Sequence, residues 1–110
     1  MSNPEIEQLM LSIPGKLTKE NLEGINATIL FDFDGESSEL WLLTIKEEKS
    51  EVKRGRVDKP NAVFMAGIED FLTLISGDIE KIGWSFLQGK IVVEGDMTVV
   101  WKVITQLRST

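Results

Sequence analysis

The 110-residue chain has no cysteine and no histidine. Without cysteine it can form neither a disulfide nor a thiolate metal site, and the absence fits a reducing compartment. Without histidine it lacks the side chain most often used as a general base and as a transition-metal ligand. No nucleophile of the usual kind stands beside a base, so catalysis is not expected, and no cofactor and no metal site is expected either. Basic residues are few: 12 lysines and arginines face 18 aspartates and glutamates, for a net charge of −6. Phosphate backbones are met by the opposite balance, so no nucleic-acid partner is expected. No apolar run approaches the ~20 residues needed to span a bilayer. The opening MSNPEIEQL has neither the basic nor the apolar region of a signal peptide, and the location expected is cytoplasmic. No repeat and no low-complexity tract divides residues 1–110, which are expected to form a single domain with one core.

The elements that are present can be read in order. Asn3-Pro4-Glu5 starts a helix, with a capping side chain, proline at the first helical position and an acid in the first turn. Ile6, Leu9, Met10 and Ile13 make its apolar face, and Pro14-Gly15 should end it. Thr18 can cap a second, short helix that Gly24 ends. Residues 26–34 alternate as a strand, with Ala27, Ile29, Phe31 and Phe33 on one face and Thr28, Asp32 and Asp34 on the other. A turn at 34–38 leads to a strand over 39–47. Trp41, Leu42 and Leu43 make that strand apolar on both faces, as a central strand would be. Glu48-Lys49 turns the chain into a third strand, and three strands joined by short turns make an antiparallel meander. Ala62 to Met65 is a fourth strand. Early strands followed by clustered helices give an α+β fold, with helices on one face of a mainly antiparallel sheet.

Residues 68–107 organise the remainder. A helix begins near Gly67 and ends at Ser76-Gly77-Asp78; Ile79, Ile82, Phe86 and Leu87 suggest a second; residues 89–94 form a fifth strand. Gly95 breaks that strand and Asp96 caps the last helix. In that helix Met97, Val100, Trp101, Ile104 and Leu107 follow core-facing spacing, and Val99 and Val103 lie on an adjoining face. The apolar arc takes about half the circumference, against about 100° for an ordinary stripe, and leaves Thr98, Lys102, Thr105 and Gln106 for water. So broad an arc needs cover from two sides: the sheet on one, and a helix, a partner subunit or a ligand on the other. Its surplus is read as the lining of an internal apolar cavity that carries a lipid-like ligand. The rival is a structural or regulatory module of the same fold, its cavity collapsed, acting through a dimer or partner interface.

Other features favour plainer readings. Asp32 and Asp34 share a strand face, but with no third ligand they read as solvent-facing residues before a turn. Lys46, Lys49, Lys53, Arg54, Arg56 and Lys59 are the densest basic stretch; glutamates interleave with them, as on the solvated face of a hairpin. Transient contact of these residues with a membrane surface, and a homodimer, stay open as partner readings. Trp84 lies off its helical stripe and fits a portal, a loop contact or an interface equally. Gly77, Gly89 and Gly95 lack the spacing of a phosphate loop and read as caps and turns.

One family resemblance runs through about residues 25–107. Val63-Phe64-Met65-Ala66, the run from Asp70 to Gly77 (DFLTLISG), Phe86-Leu87-Gln88-Gly89-Lys90 and Val93-Glu94-Gly95-Asp96-Met97 resemble, in order and spacing, the sterol-carrier-protein or non-specific lipid-transfer domain. Phe31-Asp32-Phe33 and Trp41-Leu42-Leu43-Thr44-Ile45 are similar to its first two strands. The resemblance implies a five-stranded sheet with helices on one face, enclosing an apolar tunnel. It implies binding of fatty acids, acyl-CoA, sterols or phospholipids without catalytic residues. The positions matching the tunnel lining are Phe71, Leu72, Ile75, Phe86, Leu87, Val100, Trp101 and Ile104. Two departures stand out. The chain ends Arg108-Ser109-Thr110 rather than in a peroxisomal tripeptide, and Trp101 replaces a smaller or more flexible residue. A tryptophan there would narrow the tunnel and favour acyl chains over sterols.

Overall fold

The computed structural model describes residues 4–33, 40–76, 88–89 and 91–108. Its elements are α1 (Pro4–Lys16), α2 (Lys19–Leu22), β1 (Ala27–Asp32), β2 (Leu40–Lys46), β3 (Lys49–Arg54), β4 (Ala62–Ala66), α3 (Ile68–Ser76), β5 (Ile91–Gly95) and α4 (Met97–Arg108). The five strands form one sheet in the order β3-β2-β1-β4-β5. β1 runs parallel to β4, and the other three pairs are antiparallel. The α+β class and the meander expected from the sequence are both present.

Alternation sets which residues share a face. The cross-strand row Arg54–Trp41–Phe31–Phe64–Val93 and the row Val52–Leu43–Ile29–Ala62–Gly95 lie on the side that the helices cover. Ile6, Met10 and Ile13 of α1, Phe71 and Leu74 of α3, and Val100, Val103, Ile104 and Leu107 of α4 join them in one core. Its centre is aromatic. The Phe31 ring lies 5.6 Å from Phe64, 6.1 Å from Phe71 and 5.9 Å from Phe33, and Phe33 and Phe71 are 5.0 Å apart. Phe31 and Phe33 are stacked and the other pairs are tilted or edge-on, each contributing about 0.5–1.5 kcal/mol beyond area burial.

On the opposite face Leu30 and Leu42 pair across β1 and β2 and are buried, yet they stand apart from the helix-side core. They explain why β2 reads as apolar on both sides. β3 ends at the level of Phe31, while β4 begins at the level of Ile29 beyond β2 and β1. Residues 55–61 therefore cross two strands. The crossing leaves with the Gly55 N–H donating to the Leu40 carbonyl (3.1 Å) and arrives with the Asn61 N–H donating to the Thr28 carbonyl (2.8 Å).

Three local readings are corrected. First, α1 does not stop at Pro14-Gly15 but continues to Lys16, where the Leu17 N–H still donates to the Ile13 carbonyl at 3.1 Å. Proline removes one helical donor, and so near the helix end that loss falls on the last turn alone. Second, the hairpin turn lies at Glu47–Glu48, one residue earlier than expected, and both have positive φ, 53° and 63°. A two-residue turn that matches strand twist needs positive φ at both positions, normally supplied by Asn-Gly. Third, the buried side of α4 is rotated: Val99, Val100, Val103, Ile104 and Leu107 are buried, Trp101 is half-buried, and Met97 is 48% exposed. α4 meets β4, β5, α1 and α3 together, and Val99 and Val103 share that cover, leaving Met97 and Trp101 at the rim. The turn at 34–38, Gly77, Trp84 and the helix suggested by Ile79, Ile82, Phe86 and Leu87 lie outside the described residues.

Candidate functional site

The residues matched to a tunnel lining divide into two groups. Phe71 sits in the aromatic layer, and Val100 and Ile104 are buried in the core beside it. Leu72 and Ile75 of α3 and Trp101 of α4 keep partial exposure, and Ile75 and Trp101 pack against the core from its margin. α3 and α4 are in contact, so these three lie on neighbouring helices. Phe86 and Leu87 lie outside the described residues.

The helix carrying Trp101 is held firmly. Its N-terminus is capped by Asp96, whose Oδ1 accepts from the Val99 N–H at 3.2 Å. Gly95, with φ +85°, makes the bend from β5 into the helix, and a Cβ there would run into the Asn61 carbonyl oxygen and the Ala62 backbone. Asn61 ties the same junction together. Its Oδ1 accepts from the Thr28 N–H (2.8 Å) and its carbonyl from the Asp96 N–H (2.9 Å). The strands β1, β4 and β5 thus fix where α4 begins.

A pocket of about 430 Å³ opens against α4. Its described lining is Trp101 with Thr98, Lys102, Thr105 and Gln106, the four residues the sequence assigns to water. The volume falls within the range of small-ligand sites, about 300–1,000 Å³, and the pocket is a groove open to solvent along α4, not an enclosed cavity. The indole supplies an apolar wall that the hydroxyl, amide and ammonium groups border. Trp101, expected from the sequence to line an internal tunnel, here borders a pocket with polar neighbours, and an amphipathic period marks such neighbours for solvent. The only hint was a tryptophan bordering that face. A second pocket of about 420 Å³ lies at the start of β1, lined by Asn26, Ala27, Thr28, Thr44, Ile45, Lys46 and Asn61. Asn61 is already committed there to holding strands together.

Among the described residues no group of three or more carboxylates could hold a metal ion, and no helix is long and apolar enough to cross a membrane. Asp32 is half-buried at the end of β1, and Asp34 lies outside the described residues. All six basic side chains of the 46–59 stretch are exposed, but Arg54 is set apart, with its guanidinium carbon 4.6 Å from the centroid of Trp41.

Known proteins of similar sequence and shape agree with this architecture. The chain is similar to hydroxysteroid dehydrogenase-like protein 2 of Danio rerio, 24% identical over 99 residues that are 89% of this chain and 24% of that protein. It therefore spans about a quarter of the length of the curated relatives it matches. The solution structure of sterol carrier protein domain 2 of Helicoverpa armigera superposes with a TM-score of 0.68 at 24% identity, covering 99% of this chain and 94% of that one. The solution structure of palmitated SCP2L2 from Aedes aegypti superposes with a TM-score of 0.65 at 22% identity, covering 93% and 89%. The model of the SCP-2 sterol transfer family matches residues 6–108, and the chain belongs to that family.

Proposed function

We propose that this protein is a non-catalytic carrier of lipid-like ligands, acyl chains ahead of sterols, acting in the cytoplasm as one domain over residues 1–110 and without a cofactor. The observation that carries this reading is the half-buried Trp101, which packs on the core from one side and lines a pocket of about 430 Å³ on the other. Leu72 and Ile75, partly exposed on the neighbouring α3, would supply further apolar surface to a bound chain. Membership of a sterol transfer family and the likeness to a palmitated relative support it. The affinity would come from desolvation, about 0.8 kcal/mol for each buried methylene. Apolar contacts discriminate weakly between similar chains, which suits a carrier of loose specificity.

The second reading is an interaction module with a closed cavity. The full burial of Phe71, Val100 and Ile104 in one continuous core favours it. Two measurements separate the readings. Native mass spectrometry of the purified protein should show a co-purifying mass of lipid size. Titration with a fatty acid brominated near mid-chain should quench tryptophan emission saturably in the parent, and much less of that quenching should remain in Trp101→Phe. A clean apo mass at dimer size, with emission indifferent to every acyl ligand, would establish the interaction module instead.

A further inference from the structure

Trp41 carries a polar atom that nothing among the described residues satisfies. Its side chain is 2% exposed, and its Nε1–H has no hydrogen-bond partner there. Buried polar groups in native structures are paired with few exceptions, and an exception calls for a physical account. Tryptophan in a core normally has its N–H within reach of an acceptor. A simple apolar filler at this position would be phenylalanine or leucine, which carry no donor to leave stranded.

The surroundings of Trp41 supply the account. It stands second in the row Arg54–Trp41–Phe31–Phe64–Val93 on the helix-covered face of the sheet. On the β3 side the exposed Arg54 guanidinium lies against its ring at 4.6 Å. On the β1 side the row passes at once into the aromatic layer, with Phe31 followed by Phe64 and with Phe33 and Phe71 against them. Within three neighbouring strands the side chains on this face change from a cation, to an N–H donor that lacks an acceptor among the described residues, to hydrocarbon. That is the polarity profile of an amphiphile with an anionic head. An indole N–H only donates, and a guanidinium only donates, so the complementary group is an acceptor oxygen. Hydrogen bonds to an ionised acceptor are about twice as strong as neutral ones.

We propose that the Trp41 Nε1–H and the Arg54 guanidinium receive the carboxylate head of a bound fatty acid, so that the protein prefers acyl chains ending in an anion to amphiphiles of the same length without an acceptor. This rests on the carrier reading and adds to it the polar end of the site and the class of head group. It also separates Arg54 from its basic neighbours, which remain the solvated face of the hairpin.

The test compares palmitate with hexadecyltrimethylammonium, kept below its micelle concentration, whose chain is the same length and whose head has no acceptor. Dissociation constants are measured by calorimetry for the parent, Trp41→Phe, Arg54→Gln and Lys53→Gln. A further protein carries benzothienylalanine at position 41, which keeps the bicyclic shape and replaces the N–H by sulfur, so the test survives if Trp41→Phe fails to fold. The parent should bind palmitate more tightly, and loss of the N–H should weaken palmitate about tenfold or more while leaving the cationic amphiphile unchanged. Arg54→Gln should weaken palmitate in the same selective way, and Lys53→Gln should not. Palmitate affinity that is unaltered by benzothienylalanine, or loss of both ligands together, overturns the head-group assignment and leaves the carrier reading standing. A parent protein that binds neither ligand overturns the carrier reading, and this assignment with it.

Discussion

Glu47 and Glu48 hold the tightest turn of the sheet in a conformation that glutamate disfavours. Both lie in the left-handed region, between Lys46 and Lys49, which pair as the last residue of β2 and the first of β3. A side chain there crowds its own carbonyl at a cost of roughly 1–2 kcal/mol per residue. The double change Glu47→Asn with Glu48→Gly should therefore stabilise the protein by about 1–2 kcal/mol, since Asn-Gly is the preferred pair for this turn. Urea denaturation should show a higher midpoint with an unchanged slope; an unchanged or lower midpoint would mean the turn is not strained. The sequence shows this turn one residue late, at Glu48-Lys49, because Glu-Glu carries no hairpin signal to fix its place. The candidate site was legible at this scale only in part. Helical spacing puts Trp101 on the apolar arc, but it gives no sign that Thr98, Lys102, Thr105 and Gln106 border a pocket, because polar residues on a helix look alike whether they face water or a pocket. Trp41 enters the sequence reading only as part of a strand apolar on both faces. Its stranded N–H becomes visible only when the neighbours around it have positions.

At the scale of elements, the join between β5 and α4 was readable and its reason was not. Gly95 as a break and Asp96 as a cap follow from local chemistry, and the cap is present. That residue 95 must be glycine follows also from the approach of the Asn61 backbone, which is distant in sequence. Gly95→Ala should cost about 2–3 kcal/mol or more, combining an unfavourable positive φ with the collision. Gly15 is the contrast. It lies inside α1 without a positive φ, and a methyl group added to it would meet nothing within 4 Å beyond its chain neighbours and its own helix backbone, so Gly15→Ala should add about 0.5–1 kcal/mol. Chemical denaturation of the two variants should move in opposite directions; equal effects would mean that residue 95 relaxes away from Asn61. The face of α4 was misjudged for a related reason. Periodicity gives the width of an apolar arc, whereas its centre depends on which elements press against it, and α4 is pressed by two strands and two helices.

For the whole molecule, α4 closes the core. Val100, Val103, Ile104 and Leu107 are buried against residues of the sheet, α1 and α3. Deleting residues 97–110 should strip cover from Phe64, Ile91 and Leu74 and give a chain that binds apolar dyes and elutes as aggregates in size-exclusion chromatography. A truncated protein that stays monomeric, dye-free and cooperative in unfolding would show that α4 is an accessory to the core. The meander was legible because its pairings are local. The parallel β1–β4 pair was not, because alternation within a strand does not name its neighbour. That pair also bears on how the molecule is made. Of the strands of this sheet β1 is made first and waits longest for its second neighbour, since β2, β3 and residues 55–61 must all be synthesised before Ala62–Ala66 can arrive. Throughout that interval the β4-side edge of β1 stands open with its backbone N–H and C=O groups unpaired, and an open edge is a template for another chain. The nascent sheet is therefore most in need of chaperone protection while residues 33–61 are being added, before β4 can cover that edge.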